Sequence, residues 1–119
     1  MRLTEAEWPV MEVLWSGARF SLGEITAGLQ ASKGWNKNTV YTYLTRMEHK
    51  GLVAIDRGAE KPYRAIISRE DCARAERSDL LSRVYGGAAG DLIAAFLKDS
   101  HMDQEEVARL KKLLDEMEV

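Results

Sequence analysis

Only one cysteine, Cys72, occurs in the 119 residues, so no internal disulfide can form and no second thiolate is there to share a metal ion. Cys72 reads as a small buried side chain on a helix. Histidine is almost as scarce: His49 falls at the end of a helical stretch and His101 in a polar one. Neither stands at metal-ligand spacing from a Cys, Asp or Glu, and there is no glycine-rich phosphate loop. The acidic pairs Glu5/Glu7 and Glu105/Glu106 each fall in the first turn of a helix, where the helix dipole accounts for them. This inventory does not meet the requirements of catalysis, so the chain is read as a non-enzyme with no catalytic residue, metal or cofactor. No apolar run approaches the roughly eighteen residues of a membrane span. No apolar core follows Arg2, as it would in a signal peptide. The chain is therefore expected to stay in the cytoplasm, without membrane insertion.

What is present is the balance of a globular protein, 45% hydrophobic and 30% charged. The net charge of −2 looks wrong for a polyanion binder until it is divided along the chain. Residues 1–32 carry −2 and residues 65–119 carry −4. Residues 33–64 set seven Lys and Arg against three acids, giving +4. A basic region confined to one stretch matters more to a polyanion than the whole-chain charge does.

Thr4 and Glu7 have the spacing of a capping box ahead of an apolar face of Trp8, Met11, Val13, Leu14 and Trp15, with Gly17 as terminator. A short extended piece, Arg19-Phe20, leads to a second box, Ser21 to Glu24, and a brief helix with Ile25 and Leu29 facing inward. Gly28 within it reads as a mild cost in helix propensity. After a turn at residues 33–35, Asn36 caps the longest helix of this half, which runs to about Lys50 with Gly51 beyond. Val40, Tyr43, Leu44 and Met47 give it an i, i+3, i+4, i+7 apolar stripe. Residues 52–57 and 63–67 then alternate as two strands around the loop 58–62. Helix, short strand, helix, helix, hairpin is the order of a winged helix-turn-helix domain. Beyond Ser68 three amphipathic segments follow, too short to cover their own apolar stripes. They carry Leu80, Leu81, Val84 and Tyr85, then Leu92, Ile93, Phe96 and Leu97, then Val107, Leu110, Leu113 and Leu114 behind an Asp103 cap. The fold expected is mainly α with a small β-hairpin (α+β): a winged helix-turn-helix DNA-binding domain at 1–68 and a helical dimerisation region at 69–119. The apolar residues just named form its interface.

Recognition helices enter the major groove by their first turns. Asn36, Lys37, Asn38 and Thr39 occupy that end here, and Tyr41, Thr42 and Arg46 continue the face. Arg pairs well with guanine, and Thr offers a hydroxyl or packs on a thymine methyl. Lys50, Arg57, Lys61 and Arg64 add cations for the phosphate backbone. The competing reading is a protein-interaction module that uses the same shape without specific DNA binding.

The stretches LTEAEWPVMEVLW, GWNKNTVYTYLTRMEHKGLV, YRAIIS, RVYGG and LIAAFL together resemble the BlaI/MecI/CopY-type penicillinase repressors over nearly the whole chain. The resemblance implies a homodimeric winged-helix repressor on a dyad-symmetric operator with TACA and TGTA elements. It places base-reading side chains at Thr39, Tyr41 and Thr42, with Tyr41 standing where some relatives have arginine. It further implies control of beta-lactam resistance or cell-wall-stress genes through a membrane sensor-protease pathway. In that scheme the family's cleavage point, commonly an Asn-Phe bond, falls at Ala95–Phe96, and release by a small ligand or partner is the alternative. The cysteine-rich motif of copper-sensing members has no counterpart after Cys72.

Overall fold

The computed structural model describes residues 2–117. Its elements run α1 (Glu7–Trp15), α2 (Leu22–Gly28), α3 (Lys37–His49), β1 (Val53–Ile55), β2 (Tyr63–Ala65), α4 (Arg69–Tyr85), α5 (Ala89–Asp99) and α6 (Gln104–Glu116). The mainly helical class with one small hairpin is as expected. The strands are shorter than the alternating pattern suggested. β1 and β2 pair antiparallel, with Val53 opposite Ala65 and Ile55 opposite Tyr63. Phe20 adds a third edge, exchanging backbone hydrogen bonds of 2.9 and 3.0 Å with Tyr63.

Local chemistry accounts for the helix starts. Ser21 Oγ accepts from the Glu24 N–H while Glu24 accepts from the Ser21 N–H, a complete box on α2. Thr4 and Glu7 exchange the same two bonds, closing a turn just ahead of α1 rather than its first helical residues. Ser68 Oγ accepts from the Asp71 N–H at the head of α4, and Asp103 accepts from the Glu106 N–H at the head of α6. After α3 the chain turns at Gly51, whose φ of 79° is costly for any residue with a Cβ.

The core gathers Val10, Met11 and Leu14 from α1, Ile25 from α2, Leu29 just after it, and Val40, Leu44 and Met47 from α3. Leu52, Val53, Tyr63 and Cys72 close it. Gly28 proves to be more than a propensity cost. A Cβ there would meet both γ-methyls of Val13, at 3.1 and 3.2 Å, so glycine is what lets α2 approach α1. Packing divides the chain after Arg77, inside α4, into a unit of residues 1–77 and one of 78–119. The sequence places its boundary at Ser68, the last residue before α4. The first turns of α4 are held in the first unit by buried Cys72, by Arg69 on Glu12 and by Arg2 on Glu76. Burial also pushes the Cys72 thiol pKa up, in keeping with an inert side chain.

The second unit is different in kind. Among its described residues none is fully buried, and Val84, Ile93, Phe96, Leu97, Leu113, Leu114 and Met117 are exposed. No single helix among the described residues is long and apolar enough to cross a membrane.

One ion pair is largely inside the first unit. Glu7 Oε1 accepts from both the Thr4 N–H, at 2.8 Å, and the Lys50 ammonium, at 2.7 Å, and its side chain is only 6% exposed. Burial pushes the Glu7 carboxyl pKa up, but the bonds from Lys50 and Thr4 outweigh it and hold the value below the ordinary one. A depressed native pKa contributes stability that is fully present above the unfolded value and is lost as pH falls through the folded one. Glu7→Gln should therefore cost about 1–3 kcal/mol at neutral pH, the range for stranding the partner of a buried charged hydrogen bond. It should also flatten the fall of the melting temperature below about pH 4.5, near the unfolded Glu value. Thermal melts of both proteins over a pH series check this, and parallel curves would show that the pair does not contribute.

Candidate nucleic-acid interface

The burial of Val40, Leu44 and Met47 turns the opposite face of α3 outward. Lys37, Asn38, Tyr41, Thr42 and Arg46 are all exposed on it, Tyr41 by 50%, while Thr39 is half-buried. Asn36 caps the helix, its Oδ1 accepting from the Thr39 N–H at 2.9 Å. Thr42 and Thr45 donate their hydroxyls back to the Asn38 and Tyr41 carbonyls, at 2.9 and 3.0 Å. That removes the donor role open to Thr42 in the sequence and leaves a methyl and an acceptor oxygen. The donors of the face are then Lys37, Asn38 and Arg46 (with Tyr41's hydroxyl), at the positive end of a 13-residue helix and along its length.

The structure brings the hairpin cations beside this helix but already engaged. Arg57 makes a two-pronged pair with Glu48 at 2.9 and 3.0 Å. Lys61 reaches Glu24 at 3.2 Å, and Arg64 reaches Asp56 at 3.1 Å. Lys50 is held by Glu7 and points its ammonium into the core's edge rather than outward. The carboxylates register these partners. Arg57 holds Glu48 below its usual pKa, and Arg19 followed by Arg64 does the same for Asp56. For Glu24 the Ser21 backbone N–H lowers the pKa most, then Lys61. Glu48 and Asp56 already stand in the +4 counted along residues 33–64, and folding adds Glu7 on Lys50 and Glu24 on Lys61 from outside that stretch.

Arg19 was missed by sequence reasoning because it lies outside the basic stretch. It pairs with Asp56 at 2.7 Å and donates to the Lys61 carbonyl, joining the hairpin through the Phe20–Tyr63 bridge. An extended residue next to a basic one was the available signal. Also missed was a stack of two half-buried rings packed against the core, one on α3 and one just ahead of it. The Trp35 and Tyr43 rings lie 4.6 Å apart and 15° from parallel, with Lys33 over Trp35 and Arg46 over Tyr43.

An exposed, capped helix with a cationic hairpin beside it, on a trihelical core, defines a winged-helix DNA-binding protein. Residues 3–116 match the family described as penicillinase repressor, and the chain belongs to that family. It is accordingly a DNA-binding transcriptional repressor. Among its relatives, the methicillin resistance regulatory protein MecI of Staphylococcus aureus is 27% identical over 116 residues, covering 95% of this chain and 93% of that one. The penicillinase repressor of Bacillus licheniformis is 26% identical, covering 97% of this chain and 91% of its own length. A MarR/EmrR family transcriptional regulator from Acinetobacter sp. ADP1 superimposes loosely, with a TM-score of 0.43 at 18% identity, over 97% of this chain and 78% of that one.

Because Glu48 occupies the guanidinium of Arg57, neutralising the acid should release a cation for phosphate. Glu48→Gln is expected to tighten binding to random duplex and to steepen log K against log salt by about 0.9. Exposed pairs add little to stability, so its melting temperature should hardly change. Anisotropy titrations across a salt series measure the slope, and an unaltered one would place Arg57 away from the DNA.

Proposed function

We propose that the chain works as a homodimer that represses transcription from a dyad-symmetric operator, with α3 of each copy in a major groove. The observation that carries this reading is the outward face of α3. Lys37, Asn38, Tyr41, Thr42 and Arg46 are exposed together opposite a stripe with no solvent contact. Base discrimination falls to Arg46, Asn38 and Tyr41 by hydrogen bonds and to Thr42 by methyl packing, with Thr39 at their edge. Arg57, Lys61 and Arg64 grip backbone once DNA competes for them, Asn36 fixes the helix start, and Lys50 serves the fold. The operator carries TACA and TGTA elements, as the family resemblance implies, and the regulated genes belong to beta-lactam resistance or the response to cell-wall stress.

The dimer is built from the second unit. Leu80, Leu81, Tyr85, Leu92, Val107 and Leu110 are half-buried within one copy, and Val84, Ile93, Phe96, Leu97, Leu113 and Leu114 are left exposed. So much apolar surface on a soluble chain points to a partner, and a symmetric pair matches a symmetric site. Release follows from scission between Ala95 and Phe96, which removes Phe96, Leu97 and all of α6 from that interface.

Two experiments test the parts separately. Arg46→Ala should lose about 1–3 kcal/mol of discrimination between operator and random duplex, the worth of a good bidentate base contact, and Thr42→Ala less, since it gives up only a methyl contact. Equal losses on both DNAs would make these side chains backbone contacts. Phe96→Asp and Leu113→Asp should sediment as monomers with weakened operator binding, since two half-sites no longer bind as a linked unit. Unaltered dimers would move the interface elsewhere. For release, an immunoblot of the host under beta-lactam stress should show a fragment of residues 1–95 as the target gene switches on. Induction with full-length protein alone would reject cleavage.

A further inference from the structure

Two sets of cations around α3 differ in how they are held. On the hairpin side, Arg57, Lys61, Arg64 and Arg19 all lie on carboxylates. Lys33 and Arg46 instead lie over aromatic rings, Lys33 Nζ 5.8 Å from the centre of Trp35 and Arg46 Cζ 5.5 Å from that of Tyr43. Among the described residues neither has a carboxylate partner within ion-pair distance. The difference is chemical. A carboxylate takes up the N–H donors of its partner, whereas a ring face attracts the charge and leaves the donors at the edge free for another acceptor.

The two rings between them are stacked, so cation, ring, ring and cation form one continuous row. The row is anchored below. Gln30 Nε2 donates to the Trp35 carbonyl at 3.0 Å, and the turn before it is closed by Lys33 and Gly34 N–H groups on the Leu29 carbonyl. Trp35 then leads directly into the Asn36 cap. Tyr41 and Tyr43 are about 200° apart on the helix, at about 100° per residue. Tyr41 shares its side of the helix with Glu48, seven residues on, which holds Arg57 of the hairpin. The stack therefore lines the other flank of α3.

Building on the DNA-binding reading above, we propose that the Trp35–Tyr43 pair is a platform that presents Arg46 and Lys33 to the duplex on the flank away from the hairpin. Trp35 and Tyr43 are positioning residues, and Lys33 is a further phosphate contact. DNA is thus held from both sides of the recognition helix. One grip must first exchange intramolecular carboxylates for phosphate, and the other is ready with its donors free.

The test is a double-mutant cycle on the full chain, read by anisotropy with a mixed-sequence duplex over a salt series. Tyr43→Leu should weaken binding about two- to fivefold, the range of an exposed cation–π contact. The same change should have no further effect in an Arg46→Ala background, and Tyr43→Phe should bind as wild type. Lys33→Ala, an exposed change that leaves the core alone, should lower the salt slope by about 0.9. Equal losses from Tyr43→Leu with and without Arg46, a Phe variant as weak as Leu, or an unchanged slope for Lys33→Ala would overturn the proposal while the DNA-binding reading stands. Wild-type protein that bound no duplex would overturn that reading, and the platform with it.

Discussion

Val40, Leu44 and Met47 have no solvent exposure, and that burial decides what the rest of α3 presents. Side chains on a helix are fixed at about 100° to their neighbours, so placing one stripe places all of them. Each of these side chains gains about 1.5–3 kcal/mol by leaving water, which makes rotation of α3 about its axis far more costly than any surface contact could repay. Lys37, Asn38, Thr42 and Arg46 are outward for this reason. The outward direction of their Cα–Cβ bonds needs no interaction of their own. A helix whose exposed face is free of structural duties can change its base preference without endangering the fold.

Axial placement has a different source. The Glu7–Lys50 pair ties the start of α1 to the residue that caps the end of α3, so the far end of that helix is held by charge as well as by the packing of Met47. The near end is tethered by the Gln30–Trp35 bond and the Asn36 cap. Between them Gly28 lets α2 close on α1, with only hydrogen in the space where Val13 would meet a methyl. The hairpin is attached through Phe20 and Tyr63 and through Arg19, which spans Asp56 and the Lys61 carbonyl. These ties converge on α3 from both ends and one side. A largely buried ion pair contributes modest net stability when compared with an apolar pair.

Most of the fold was legible because its signals are local. The Ser21, Asn36, Ser68 and Asp103 caps act within three residues, and the stripes of α1 and α3 repeat within a few turns. The family resemblance rests on the same segments. The electrostatics of the interface were not legible, because its partners are distant in the chain. Lys61 and Glu24 are separated by 37 positions, and no pattern in either neighbourhood connects them. Counting charge along residues 33–64 made that region cationic, whereas folding brings Glu7 and Glu24 from outside the stretch beside Lys50 and Lys61. Arg19 was overlooked for the converse reason, a basic residue in an acidic stretch that folding delivers to the hairpin. The bond made by the Thr42 hydroxyl was not legible either, since a threonine within a helix can bond its own backbone four residues back.

The position of the proposed scission bond gives the second unit a physical logic. Ala95 and Phe96 lie in the middle of α5, and the Phe96 carbonyl accepts the Ser100 N–H at the helix end. A protease binds extended backbone, so α5 must open before its bond can be cut. An 11-residue helix with no fully buried side chain has little beyond its own hydrogen bonds to resist opening. Covered by a second copy, the same helix would gain the burial of Ile93, Phe96 and Leu97, each now 43% exposed or more. On this proposal dimerisation and cleavage would compete for one segment, with the cut made through the open, uncovered form. Once that bond were broken, Phe96, Leu97 and α6 would no longer belong to the chain that carries α3, and the cleaved copy could not return to the covered state. The outcome would be one-way, although every contact involved is an ordinary apolar one.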